Sequence, residues 1–143
     1  MINIKTYCLD KSKRKKVLDM IISTLTKKKE IIMAYVHGSF LDDDFRDVDL
    51  ALYLGNIRNK KEVLEYELTL ERELEDLIGL PFDVRIINNA PVTFRFNVIK
   101  NGVLLLEKDE DIRSEFEFRT ITEYHDFNYI REMYLREGLG LEI

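Results

Sequence analysis

Ile31-Ile32-Met33-Ala34-Tyr35-Val36-His37-Gly38-Ser39, followed after seven residues by Asp47-Val48-Asp49-Leu50-Ala51-Leu52-Tyr53-Leu54, is the stretch on which the reading of this chain turns. The first part is a short, β-rich apolar run that stops at a glycine, the pattern of a buried strand ending in a turn. The second part alternates. Val48, Leu50, Leu52 and Leu54 fall on one side, and Asp47, Asp49, Ala51 and Tyr53 on the other, so a second strand with a carboxylate edge is expected.

Outward from this pair, Val17, Leu18, Ile21, Ile22 and Leu25 recur at helical spacing behind Asp10 or Ser12 as N-cap. Lys11, Lys13, Arg14, Lys15 and Lys16 load the start of that helix with positive charge, against its dipole. Such a run is either solvated or held for an anionic partner, and solvation is the expected reading. Lys60 to Ile78 carries an apolar stripe (Val63, Leu64, Leu68, Leu70, Leu74, Leu77) before the stop signals Gly79 and Pro81, hence a second helix. A strand follows, with Phe82, Val84 and Ile86 on one face and Asp83, Arg85 and Ile87 on the other.

Pro91 to Lys100 alternates like a strand, but Pro91 at a first turn and Asn101-Gly102 as a stop favour a helix. Val103 to Glu107 reads as a short strand. Asp109 to Arg136 reads as a long helix with Ile112, Phe116, Ile121, Tyr124, Phe127, Ile130 and Tyr134 on its apolar stripe. The order α-β-β-α-β-α-β-α predicts an α+β (α/β-like) fold in two layers, a small mixed β-sheet backed by helices.

Composition agrees with a single folded domain spanning residues 1–143. Hydrophobic residues are 45% of the chain and charged residues 34%, with 2 Pro and 6 Gly and no repeat or low-complexity joint, which excludes disordered and fibrous classes. The net charge of −5 gives no reason to expect nucleic acid as a specific partner. A lone cysteine, Cys8, has no intrachain disulfide partner and no zinc-binding neighbours, and is read as inert. With no apolar stretch long enough to cross a bilayer and no apolar signal core at the start, a cytoplasmic protein without membrane association is expected.

The chemistry concentrates at one end of the sheet. Asp47 and Asp49, two apart on a strand, project from the same face within about 7 Å of each other, and like charges held so closely call for a cation. Asp83 has the parity to join them from the next strand, which makes a three-carboxylate magnesium site. Magnesium retains water and substrate phosphate oxygens, so a nucleoside triphosphate is the natural further ligand. Gly38 permits positive φ and close approach, and the Ser39 hydroxyl can donate to phosphate. These parts support in-line attack on phosphorus, with Asp83 as the base. A two-aspartate spacing or a Gly-Ser turn is common alone; the joint placement of all three pieces is what singles them out.

At these residues the chain resembles a known family. His37-Gly38-Ser39-Phe40 and Phe45-Arg46-Asp47-Val48-Asp49-Leu50 are similar to the signature of the DNA polymerase β-like nucleotidyltransferase superfamily, and specifically its minimal, single-domain branch (MNT). The resemblance implies a nucleotidyltransferase fold, ATP as donor, Gly38 and Ser39 at its phosphates, Asp47, Asp49 and Asp83 as Mg2+ ligands, and Asp83 as base. It departs from many relatives in a loop between Ser39 and Asp47 that is shorter and more acidic (Asp42, Asp43, Asp44). Arg46 and Arg85 are left open between neutralising phosphate and balancing carboxylates, and His37 and His125 are read as structural or exposed.

Proteins of this type resemble the antitoxin of a toxin–antitoxin pair whose partner is a HEPN-domain ribonuclease. The resemblance implies transfer of AMP to a tyrosine of that toxin. Alternatives are an inactive antitoxin that inhibits by binding, and a small-molecule nucleotidyltransferase. The aromatic residues of the last helix (Phe116, Phe118, Tyr124, Phe127, Tyr129, Tyr134) are expected to be core, with a partner surface as the alternative, and homo- or hetero-oligomeric assembly is left open.

Overall fold

The computed structural model describes residues 5–57 and 59–139. In chain order the elements are β1 (Tyr7–Cys8), α1 (Lys11–Thr26), β2 (Ile31–His37), a 3-10 turn at Gly38–Leu41, β3 (Asp44–Phe45), β4 (Val48–Leu54), α2 (Lys60–Ile78), β5 (Phe82–Ile86), α3 (Val92–Asn101), β6 (Val103–Glu107) and α4 (Glu110–Leu139). The caps explain the boundaries. Asp10 accepts the Lys13 N–H at 2.8 Å, Asn59 accepts the Glu62 N–H at 2.9 Å, and Gly79 ends α2 in the left-handed region at φ 83°. The ambiguous stretch after Pro91 is helical, as read.

Among the described residues, β2, β4, β5 and β6 form a mixed sheet in the order β5-β4-β2-β6, in which β4 and β5 are parallel and the other pairs antiparallel. The short β1 and β3 pair separately, a small ribbon that the sequence pattern did not announce. Helices cover both faces, so the two-layer expectation becomes three layers. Val17, Ile21 and Leu25 of α1 and Leu70 and Leu74 of α2 pack against Val36, Leu50, Leu52 and Val84. On the other face Val98 of α3 and Phe116 of α4 meet Met33, Tyr35 and Ala51. The reason is the apolar run of β2: Met33 and Tyr35 point away from Ala34 and Val36, and all four need covering.

The outer edge of β5 is closed by a side-chain ladder. Phe82 N–H donates to Glu75 at 3.0 Å, Val84 N–H to Glu71 at 2.9 Å and Ile86 N–H to Glu67 at 2.8 Å. Four residues of helix rise about 6.0 Å and two residues of strand about 6.6 Å, so glutamates at every fourth position of α2 match amides at every second position of β5. This satisfies an edge that would otherwise offer itself for pairing. Glu71→Ala is expected to lower stability by about 1–3 kcal/mol by orphaning the Val84 amide, and Glu71→Gln, which keeps an acceptor oxygen, by clearly less. Urea unfolding of the two variants checks this.

The last helix begins where Asp109 accepts the Ile112 N–H at 3.1 Å. It is splinted to α3 by the buried Arg95, which donates to Thr120 at 3.1 Å and to Glu123 at 2.5 Å, and by Phe96 stacked parallel on Tyr124 at 3.7 Å. Beyond Tyr124 the predicted stripe runs on without cover: Phe127 is 43% exposed, Ile130 65% and Tyr134 69%. These three continue the face that Phe116 turns into the core, one helical repeat after another. No helix among the described residues is long and apolar enough to cross a membrane.

Candidate active site

Strand register builds the site. His37 of β2 lies opposite Asp49 of β4, and Asp49 lies opposite Asp83 of β5, so the three form one lateral row across the sheet. Asp47, two residues before Asp49, belongs to the same side of the chain, and the two side chains are hydrogen-bonded to each other. The parity expected for Asp47, Asp49 and Asp83 is therefore realised, on the face of the sheet that α3 and α4 cover.

Gly38 is held at φ 72°, and a Cβ placed there would lie 2.1 Å from Asp49 Oδ2. The backbone of the turn thus rests directly on the carboxylate, which no side chain permits. Ser39 Oγ accepts the Arg46 N–H at 3.2 Å, closing the loop across its base and leaving the hydroxyl hydrogen available to donate.

The electrostatics are those of an anionic cluster. Burial pushes the Asp49 carboxyl up to about 7, with the charges of Asp47 and Asp83 and the hydrogen bond to Asp47 adding to it and Arg46 opposing. Arg85 pairs with Asp83, Nε to Oδ1 at 3.2 Å, and its side chain is 63% exposed. Balancing a carboxylate is thus a role that Arg85 fills. His37 is half-buried, edge-on to Phe94 at 5.5 Å, and its Nε2 is a buried side-chain polar atom with no hydrogen-bond partner. Burial lowers its pKa against the pull of Asp83 and Asp47, which favours the neutral imidazole. His125 is exposed, and Cys8 is an exposed free thiol.

Among the described residues no three His, Cys, Asp or Glu side chains already close round one point as a preformed cage. The donor set nonetheless suits Mg2+: carboxylate oxygens on one face, whose mutual repulsion a cation would relieve, and a side chain of Asp83 that is 41% exposed and so open to water and phosphate ligands. Two hollows lie away from the carboxylate row, one beside Thr24, Lys28 and Glu73 and one beside Ile57, Lys60 and Ile86.

Sequence reasoning missed Arg14, treated as one of a solvated basic run. Its guanidinium donates to the carbonyl oxygens of Phe40, of Asp42 at 2.9 Å and of Asp43 at 3.4 Å, and lies over the rings of Phe40 and Phe45. The only signal in the sequence was that Arg14 is the one arginine among lysines.

Comparison with known proteins gives a family from one search and a matching fold from another. The family model described as polymerase beta, nucleotidyltransferase, matches residues 19–111. Among solved structures, similarity is found to a chain of a complex of tri-AMPylated Shewanella oneidensis HEPN toxin with MNT antitoxin, with 17% identity, TM-score 0.68, and coverage of 88% of this chain and 98% of that one. A chain of the toxin–antitoxin MntA-HepT matches with 17% identity, TM-score 0.66, and coverage of 87% and 98%. A toxin–antitoxin structure with AMP-PNP matches with 17% identity, TM-score 0.62, and coverage of 92% and 99%. A search of curated protein sequences finds no match. With the family model spanning well over half of its length, and the Gly-Ser turn and the aspartate row within that span, the chain belongs to the polymerase β-type nucleotidyltransferase family.

Proposed function

We propose that the chain transfers AMP from ATP to a tyrosine hydroxyl of a HEPN-type ribonuclease and so serves as that toxin's antitoxin. The observation that carries this reading is the row Asp49–Asp83 with the Gly38 backbone pressed against Asp49. The similar solved chains come from HEPN toxin–MNT antitoxin assemblies, one with an AMPylated toxin and one holding an ATP analogue, which supports the choice of acceptor and donor.

In this reaction Gly38 and Ser39 receive the donor's phosphates, the Ser39 hydroxyl donating to a phosphate oxygen. Asp47, Asp49 and Asp83 would hold Mg2+, which neutralises the triphosphate and the leaving pyrophosphate. The acceptor oxygen attacks the α-phosphorus; the new O–P bond forms as the bond to pyrophosphate breaks. With Arg85 on Oδ1 of Asp83, Oδ2 is the oxygen left to take the acceptor's proton. ATP as the donor places the reaction in the cytoplasm.

The bare face at Phe127, Ile130 and Tyr134 is our assignment for the toxin contact. Ile130→Glu with Tyr134→Glu is expected to abolish co-purification with the HEPN partner while shifting the melting temperature by less than about 2 °C, since neither side chain is buried.

The decisive experiment is incubation of the wild-type chain with a HEPN-type ribonuclease, α-labelled ATP and Mg2+. Label on the toxin, lost with Asp83→Asn, is the expected result; an unlabelled but inhibited toxin would replace this reading with inhibition by binding alone, and an unlabelled, active toxin would overturn it.

A further inference from the structure

We propose that Arg14, on the first turn of α1 and outside the family signature, is a positioning residue for the nucleotide: it clamps the short acidic loop that connects Ser39 to Asp47. The inference deepens the function proposed above and rests on it.

The loop from Phe40 to Arg46 has two duties, to hold Ser39 in place at one end and to deliver Asp47 at the other. It carries three consecutive carboxylates, Asp42, Asp43 and Asp44, all exposed. Their mutual repulsion favours a more open loop, whose regular structure is the end of the 3-10 turn at Phe40 and Leu41 and the two-residue strand β3. What opposes opening is concentrated on Arg14. Its two terminal nitrogens reach three carbonyl oxygens of the loop, those of Phe40, Asp42 and Asp43. Its guanidinium carbon stands 4.6 Å from the Phe40 ring centroid and 5.5 Å from that of Phe45.

Those two rings, 4.8 Å apart and edge to face, are buried at either end of the same loop, with Tyr7 of β1 stacked on Phe45 at 5.8 Å. Arg14 therefore binds the loop by its backbone and by its anchors at once. The Arg46 amide that meets Ser39 Oγ lies directly after Phe45, so the clamp sets the span between the phosphate-binding hydroxyl and the first aspartate.

A lysine cannot replace it. One ammonium has neither the planar fork that serves several carbonyls nor the flat surface that covers two rings. Charge alone is plentiful here, in Lys11, Lys13, Lys15 and Lys16, which makes the distinction testable.

Titrate the full-length wild type, Arg14→Lys, Arg14→Ala and Lys15→Ala calorimetrically with Mg–ATP, and measure label transfer to the partner. Expected are a Kd and a KM for ATP raised about tenfold or more in both Arg14 variants, a kcat within about threefold of wild type, and wild-type behaviour for Lys15→Ala. Should Arg14→Ala fail to fold, Arg14→Lys, which keeps the stem and the charge, decides. Equal ATP affinity in wild type and folded Arg14→Lys would overturn the clamp, as would a loss confined to kcat. No ATP binding by the wild type would instead sink the nucleotidyltransfer reading, and the clamp with it.

Discussion

Asp49→Asn is expected to stop AMP transfer by a factor of about 10³ or more and, in the same protein, to raise the stability of the metal-free fold. The first half follows from removing the central carboxylate of the row. The second follows from its electrostatics. Asp49 is pushed from its ordinary value near 3.8 up to about 7 by burial and by its two acidic neighbours. Between those values the unfolded chain has released the proton while the folded chain still holds it, so stability falls as pH rises through this window and stays low above it.

Asparagine keeps the shape without the charge and escapes the loss. With Asp49 only half-buried the gain at pH 8 is discounted for solvent screening to on the order of 1 kcal/mol, or about 3 °C in melting temperature. Adding Mg2+ reverses the ranking, stabilising wild type more than the variant. Melting curves at pH 4.5 and pH 8, with and without Mg2+, test all of this; a variant less stable than wild type at pH 8 without metal would contradict it.

Gly38→Ala is the second large effect, and its signature is opposite. The positive φ costs an alanine about 1–2 kcal/mol. The added methyl also occupies the space of Asp49 Oδ2, 2.1 Å away. A short side chain gives way where backbone does not, so the fold survives while the carboxylate is displaced. Misplacement of about 1 Å at a reacting group is worth roughly a hundredfold in rate, and a loss of that size in label transfer is expected. Gly102→Ala provides the contrast. There a Cβ would meet the Val98 carbonyl oxygen at 2.4 Å and that of Val36 at 3.1 Å, both backbone. It should lose about 2 kcal/mol or more of stability and leave the kcat of the folded fraction unchanged.

Local alternation was enough to read β4 and β5 and the side on which Asp47, Asp49 and Asp83 stand, because a strand's parity is a property of neighbouring residues. The registers that turn parity into a row, Asp49 beside Asp83 and His37 beside Asp49, are properties of pairs far apart in the chain. Arg14 was illegible for a related reason. Its partners are carbonyl oxygens, which every residue has, so nothing in the identities of Phe40, Asp42 or Asp43 marks them as acceptors. The stripe of α4 was read correctly as periodic, but periodicity cannot say how far along the helix the rest of the chain extends. Phe116 finds the core, whereas Ile130 and Tyr134, on the same stripe, do not.

The glutamates of α2 also act as a gauge for chemistry at the far side of the strand they bond. Asp83 sits between two amides, those of Phe82 and Val84, each tied to its own glutamate, while its other edge is registered on β4. A slip by one residue would break every rung and turn Asp83 into the apolar layer, so the height of this carboxylate beside Asp49 is measured off from a helix that never touches substrate. Transplanting β5 into another scaffold would therefore carry the aspartate without its address unless α2 travelled with it.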